Sequence, residues 1–411
     1  MAFYLPVVSM HRWFHLMMIQ RSSRKGNNSD QPRVLFVSDH LGYAEGVIHG
    51  ATTYFLNVLP ALKKTGMPLT VCFLRDRHPA AERLEAEGIE SIFLNRGKWD
   101  VRALGDLARL IREQDINLVH GAGMKGILLG RMAAHRTGAR FLAHIHDTNP
   151  LDPVTKTLQR VFARWTDGCV GISKAVCEYA VETMRIPRTR VRVLYNALPP
   201  ERFAAPPPDA VRAVRASLDI DEHQRGVAVI GRLSPEKGHD SLLCAGADWL
   251  KARPDICLLI VGDGPLRTSL QERVKSLGLD DQVRFAGYRE DVPAVLAAAD
   301  AVVIPSLREG LGYTALEAMA AGCPVAAFAV GGLPEIIRDG ETGFLSPPGD
   351  YSHLLGQLER LLSDRAVAGG LAENGRQHAK KYSVESHVLE LMSIYASLLD
   401  GTFDRPAGAL S

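Results

Sequence analysis

The sequence predicts an α/β protein made of two Rossmann-like halves, each a parallel sheet with helices on both faces. Three observations carry this. From Arg33 onward, short runs rich in β-branched and aliphatic residues alternate with stretches of helical periodicity. The runs are apolar throughout rather than on alternate positions, as in strands buried on both faces. The alternation stops at a proline-rich segment near residue 199 and then starts again, and 411 residues are too many for one ordinary core.

The elements follow in order. "MAFYLPVVSMHRWFHLMMIQ" is apolar but interrupted by His11, Arg12 and His15, whereas a membrane span needs roughly 20 uninterrupted apolar residues. The basic "RSSRKG" follows the apolar part, the wrong order for a signal peptide. Residues 1–31 therefore read as an extension: interfacial, disordered, or the product of a start placed too early. "RVLFVS" is a buried strand, and "TTYFLNVLPALKKTG" a helix stopped at Gly66. "LTVCFL", "ESIFL", "INLVH", "RFLAHIH", "DGCVGIS" and "VRVLYN" are further strands, separated in places by helices such as "VRALGDLARLIREQ" and "GILLGRMAAHRTG". These complete a first domain over 32–200. "PPERFAAPPPDA" places five prolines in twelve residues and reads, over 201–223, as a linker. A second domain over 224–380 carries the strands "GVAVIGRL", "ICLLIVGDG", "QVRFAGY", "AVVIPS", "PVAAFAV" and "TGFLSP". A last helix, 381–400, lies beyond the final strand, where it can cross back to the first domain. Parallel sheets of this kind bind ligands at their carboxyl ends, so a cleft is expected between the two.

Composition (46% hydrophobic, 23% charged) is that of a globular protein. The net charge of +2 hides an asymmetry: residues 1–200 hold 27 Lys+Arg against 17 Asp+Glu, the remainder 21 against 29. The first half is the one suited to anionic partners, phosphate groups or an acidic membrane, and nucleic acid is not an expected partner. The six cysteines include no C-x-x-C pair, so they read as small core residues in a reducing, cytoplasmic setting.

The chemistry concentrates at strand ends. In "SLREGLGYTALEAMAAGCPV" Glu309 occupies a loop after a strand, and Gly310 and Gly312 permit close approach of a ligand. The helix starting near Tyr313 points free N–H groups and its positive dipole end at the same place. Glu317, about one turn further, can accept hydrogen bonds from vicinal hydroxyls. A phosphate at the helix tip flanked by hydroxyls describes a nucleotide sugar; taken alone, Glu309 reads as a turn residue and Glu317 as a solvated helix residue. "GRLSPEKG" adds Arg232 and Lys237, a guanidinium fork and a point charge able to clamp a diphosphate. "VGDGP" brings Gly264 to another strand end, a weak signal by itself. In the first half, "HIHDTNP" offers His146 as a hydrogen-bond donor or proton acceptor, with His144 read as a core histidine. "EGVIHGATTYF" places Gly46 and Gly50 before a helix as a phosphate- or acceptor-contact loop. The D-x-D triplet Asp219-Ile-Asp221 lies away from every strand-end motif and reads as turn chemistry.

Together, "EGLGYTALEAMAAGCPV", "GRLSPEKG", "VGDGP", "FAGYREDV" and "GGLPEIIRDGETGFLSPPGD" resemble retaining glycosyltransferase family 4, over the chain from Arg33 to about Leu399. The resemblance implies a GT-B fold and a nucleotide-sugar co-substrate with no cofactor. Glu309 and Glu317 match the family's E-x7-E pattern. It implies that Arg232 and Lys237 hold the donor diphosphate, Glu317 the ribose and Glu309 the sugar hydroxyls, with His146 near the transferred sugar. Gly50 matches the first-domain glycine loop, but Gly46 stands four residues before it rather than adjacent. "YNALPP" departs from the family's usual Asn-Gly-acid at Ala197 and Pro199, which touches the hinge and not the donor site. The family implies attack by the acceptor on the face the leaving group vacates, with the cations stabilising the departing diphosphate, so no metal is required. An epimerase or phosphorylase of the same fold, or an inactive partner subunit, are the competing readings. The acceptor is expected to be a glycan or lipid-linked intermediate of polysaccharide synthesis. The basic stretch around Arg96, Lys98, Trp99, Arg102, Arg109 and Arg112 can dock on the inner face of an anionic membrane, or equally be the solvated side of a packing helix.

Overall fold

The computed structural model describes residues 31–42, 50–97 and 100–404. The first domain is a seven-stranded sheet: β1 (Val34–Ser38), β2 (Leu69–Phe73), β3 (Ser91–Phe93), β4 (Leu118–Ala122), β5 (Arg140–Ile145), β6 (Gly168–Gly171) and β7 (Val191–Val193). Its helices are α1 (Gly50–Lys64), α2 (Ala81–Ala86), α3 (Arg102–Glu113), α4 (Met124–Thr137), α5 (Pro153–Val161) and α6 (Lys174–Glu182). The second domain opens with α7 (Pro208–Ser217) and has six strands: β8 (Arg225–Ile230), β9 (Ile256–Val261), β10 (Val283–Gly287), β11 (Ala301–Ile304), β12 (Val325–Phe328) and β13 (Phe344–Ser346). The remaining helices are α8 (His239–Lys251), α9 (Arg267–Leu277), α10 (Val292–Ala298), α11 (Tyr313–Ala321), α12 (Leu333–Ile336), α13 (Tyr351–Ser363), α14 (Arg365–Ala379) and α15 (Val384–Leu399).

Pairing between these strands is parallel throughout. The spatial orders are β3-β2-β1-β4-β5-β6-β7 and β10-β9-β8-β11-β12-β13. Parallel strands need both faces covered, and the sequences comply: all five residues of β1 and all six of β9 are buried. Strand order reverses between β1 and β4 and again between β8 and β11, and such reversals open a crevice at the carboxyl ends. The two crevices face one another across the domain boundary.

Two segments differ from their sequence reading. The proline-rich stretch 201–223 is not bare linker, because Pro208 starts α7, which packs on α10 of the second domain. Proline at a first helical position is pre-set for the helix and forfeits only an N–H that lacks a partner anyway. The basic stretch before and within α3 does not offer an apolar face to a bilayer. Ala103, Leu107, Ala108 and Ile111 are buried in the core, with α3 lying on α4. Arg96 pairs with Asp106 at 2.6 Å, Arg102 with Asp100 at 2.8 Å and Arg109 with Asp106 at 2.5 Å. Lys98 and Trp99, and the extension as far as residue 30, lie outside the described residues. No described helix is long and apolar enough to cross a membrane.

After α14 the chain returns to the first domain. Val388, Leu391, Ile394, Tyr395 and Leu398 of α15 are buried in one cluster with Val34, Leu118 and Val170. Each such side chain contributes about 1.5–3 kcal/mol when fully buried. Two crossings thus join the domains, one near Leu198 and one near Ser383, and the two residues form a parallel bridge.

Candidate active site

The facing crevices merge into a single cleft of about 580 Å3 lined by both domains. On the second-domain side, β8 ends at Ile230, and Arg232 enters the cleft from the following loop. Lys237 closes the 3-10 turn Pro235–Lys237. Its ammonium lies 2.5 Å from Oε1 of Glu309, which also accepts from the Ser306 hydroxyl at 2.8 Å. An ammonium has three donors, so this pair holds both groups in place and leaves lysine protons for a ligand. The Glu309 side chain is only 11% exposed, which strengthens the pair relative to one in open solvent.

Helix α11 begins at Tyr313 with Gly312 as its N-cap and no side chain capping it. Gly312 has φ 100°, a conformation that only glycine adopts without strain. The uncapped end opens on the cleft through Gly312, Tyr313 and Thr314. Glu317, one turn along, also lines the cleft. Burial pushes its carboxyl up to about 7, with the Arg202 charge opposing the shift. Arg202 comes from the proline-rich segment and was not foreseen; nothing in its local sequence separates it from a surface arginine.

Three expected donor residues sit differently from their sequence reading. Gly310 lines the cleft, but a Cβ there would lie 2.7 Å from the backbone oxygen of His146, so its smallness admits the other domain. Gly264 is outside the cleft lining: a Cβ on it would meet Leu233 O at 2.5 Å, and its neighbours Gly262 and Asp263 face the cleft instead. Tyr313 reaches across the boundary, donating its hydroxyl to Ala197 O and accepting from Asn57 Nδ2 at 3.1 Å.

On the first-domain side, His146 follows β5 and stacks on His144 with ring centroids 4.1 Å apart. His144 is fully buried, as read from the sequence, yet it forms part of the cleft floor. Its Nδ1 meets His120 Nε2 at 3.1 Å, and His120 Nδ1 meets the Tyr395 hydroxyl of α15 at 2.6 Å. Burial lowers His120 to about 3 and His144 well below its ordinary value, so both rings are neutral at physiological pH. Gly50 begins α1 at the cleft, whereas Gly46 falls within 43–49, outside the described residues. Asp39, unremarked in the sequence, lines the cleft where β1 ends and accepts from Gly126 N at 2.5 Å and Lys125 N at 3.2 Å. Burial raises its pKa against those two bonds. Arg308 completes the rim, donating across the boundary to Asn149 Oδ1 at 2.8 Å. Asp219 has φ 49° just past α7, and the D-x-D triplet is not part of the cleft lining.

This arrangement can bind an anion and a polyol side by side. Arg232, Lys237, Arg308 and the helix dipole gather on one wall, and imidazoles, carboxylates and amides, with Arg83, on the other. Comparison with known proteins agrees. Residues 211–380 match the family described as Glycosyl transferases group 1, and residues 48–202 that described as Glycosyltransferase Family 4. The 2-deoxystreptamine glucosyltransferase of Streptomyces kanamyceticus is 28% identical over 336 residues, covering 78% of this chain and 86% of that one. A D-inositol 3-phosphate glycosyltransferase of Salinispora tropica is 36% identical over 221 residues, 50% of this chain and 46% of the relative, so the match spans about half of that protein. Among solved structures, Anabaena HepE in complex with UDP-glucose superposes with a TM-score of 0.77 at 23% identity, over 89% of this chain and 99% of that one. Sucrose-phosphate synthase from Thermosynechococcus elongatus gives 0.72 at 23% identity, over 90% and 100%. At such identities the structural likeness speaks for the fold.

Proposed function

The chain belongs to the glycosyltransferases of family 4 type, with the two-domain GT-B fold and a nucleotide-sugar donor, and on that premise we propose that it transfers a hexosyl group with retention, without a metal, to a polyhydroxylated acceptor. The observation that carries this reading is the Lys237–Glu309 pair beside the uncapped start of α11, with His146 across the cleft.

In the proposed reaction the bond between the anomeric carbon and the diphosphate oxygen breaks, and the nucleoside diphosphate takes the electron pair. Arg232, the Lys237 ammonium and the α11 N–H groups face that developing charge, a preorganised role that needs no metal ion. Glu309 positions the sugar hydroxyls, and its engagement with Lys237 and Ser306 argues against a nucleophilic role. An acceptor hydroxyl forms the new bond on the same face, and its proton passes to the departing phosphate oxygen. Glu317 receives the ribose hydroxyls. His146 donates to the sugar, and the neutral histidines beneath it add no competing charge.

The acceptor side sets Ser38, Asp39, Thr53, Asp147 and Asn149 beside apolar Phe55, Met124 and Leu151, and this mix of hydrogen-bonding groups and apolar surface supports recognition of a polyol head. The names of the two relatives above point the same way, since both refer to small cyclitol acceptors. A lipid-linked sugar would present the same chemistry here, and the assay must separate the two. Nucleotide release from UDP-, GDP- and ADP-sugars, with chelator present, tests the proposal when run with free cyclitols, with a lipid extract, and with no acceptor. Release from one donor, lost in Glu309→Ala and Arg232→Ala, is the expected result. Equal release by wild type and both variants would overturn the assignment of the site.

A further inference from the structure

One carboxylate outside the proposed chemistry joins the two domains. Glu335 lies on α12 of the second domain, but its partners belong to the first. Oε2 accepts from Lys174 N at 2.8 Å and from the Tyr195 hydroxyl at 3.0 Å, and Oε1 accepts from Ala175 N at 3.2 Å. Lys174 and Ala175 are the first two residues of α6.

The first four N–H groups of a helix have no partner within it. In α6 the N–H of Val176 is satisfied locally by Ser173 Oγ at 3.1 Å, and that of Cys177 makes the first helical bond, to Ser173 O at 3.0 Å, which leaves the first two helical residues, Lys174 and Ala175. The first two are satisfied only from the other domain, by a carboxylate at the positive end of the helix dipole. Ser173 adds a second tie, its hydroxyl donating to Gly310 O at 2.6 Å. Gly310 follows Glu309 directly and packs against the backbone oxygen of His146. Gly332, three residues before Glu335, has no room for a side chain either: a Cβ would lie 2.6 Å from Gly310 O and 2.9 Å from Ser173 Cβ. Every part of this contact therefore bears on the distance between Glu309 and His146.

We infer that Glu335 is a positioning residue: its carboxylate latches the second domain onto the start of α6 and Tyr195, and so holds the cleft closed with Glu309 opposite His146. The inference rests on the transferase reading for its effect on turnover, but not for its effect on domain closure. The donor groups Arg232, Lys237, Glu309 and Glu317 all belong to the second domain, so opening the latch leaves nucleotide affinity intact and lowers transfer.

The test compares wild type with Glu335→Gln, Tyr195→Phe and the double variant. Small-angle scattering without ligand should give a larger radius of gyration for Glu335→Gln. Calorimetric titration with UDP, GDP and ADP should give affinities within about threefold of wild type, while kcat falls about tenfold and hydrolysis of donor gains on transfer. Tyr195→Phe alters the first domain alone and keeps a folded donor site; it should shift the same quantities less, and the double variant should be no worse than Glu335→Gln. Unchanged scattering and kcat in Glu335→Gln would overturn the latch, as would strictly additive losses in the double variant. If wild type binds none of the three nucleotides, the transferase reading fails, and the scattering comparison still decides the latch.

Discussion

The two walls of the cleft are built on opposite principles. The second-domain wall is fixed by charge: Lys237 against Glu309, Arg232 and the uncapped start of α11, all within short loops that follow β8 and β11. The first-domain wall is fixed by packing: His146 on His144, His144 to His120, and His120 to a tyrosine that arrives 275 residues later in the chain. A diphosphate has the same charge whatever sugar it carries, so the groups that meet it can be few and local. A polyol, the acceptor class proposed above, would be recognised by shape and hydrogen bonding, which a neutral, packed floor of His144 and His120 suits.

The contrast can be broken first on the charged side. Removing Arg232 or Glu309 as alanine should cost about 10²–10³ in kcat/KM, the range for loss of a preorganised electrostatic partner, read by nucleotide release. Closing the gap between the walls comes next. Gly310→Ala would place a methyl 2.7 Å from His146 O, and kcat should fall about 10- to 100-fold with nucleotide affinity nearly unchanged by calorimetry. A comparable fall in affinity would mean that Gly310 serves the donor directly.

The third test sharpens the charge argument through pH. Glu317 titrates at about 7 in the folded chain against an ordinary value of 4.5. A carboxyl with a raised folded-state pKa favours the folded state below the lower value, and that contribution is lost as pH rises through the upper one. Glu317→Gln cannot ionise, so its stability relative to wild type should rise between pH 5 and pH 8, on the order of 2 kcal/mol in urea denaturation. A difference independent of pH would place the Glu317 carboxyl in ordinary solvent. The smallest effect belongs to the neutral floor. Tyr395→Phe deletes the 2.6 Å contact to His120, costing about 1 kcal/mol in stability and changing kcat less than about threefold. A large loss of kcat with an unchanged melting temperature would mean that the histidine chain takes part in proton movement.

These walls were not equally legible in the sequence. Arg232, Lys237, Glu309 and Glu317 stand in two contiguous stretches, each just after an unmistakable apolar strand, so strand-end placement alone brings them together. The interior strands were legible for the same reason, since fully buried parallel strands are unbroken apolar runs, whereas β3, β7 and β10 at the sheet edges are largely half-buried. Asp39, Arg202 and Glu335 were not, because each acquires its role from a partner far along the chain: Glu335 and Tyr195 are 140 residues apart. Gly310 was seen as a point of close approach, but only the folded chain shows that the approaching group is backbone from the opposite domain. The proline-rich stretch misled because prolines that start a helix and prolines that stiffen a linker look alike until α10 is in place to receive the helix.

The return of α15 has a practical consequence for recombining such proteins. The first domain is discontinuous in sequence, because its core is completed by Val388, Leu391, Tyr395 and Leu398, and Arg192 holds the later Phe403 through its carbonyl at 2.5 Å and its ring at 4.2 Å. A chimaera with one junction near residue 200 would therefore inherit a foreign tail under its own histidine layer. Two junctions, beside the Leu198–Ser383 bridge, would exchange the second domain as a cassette and leave residues 384–404 with the host.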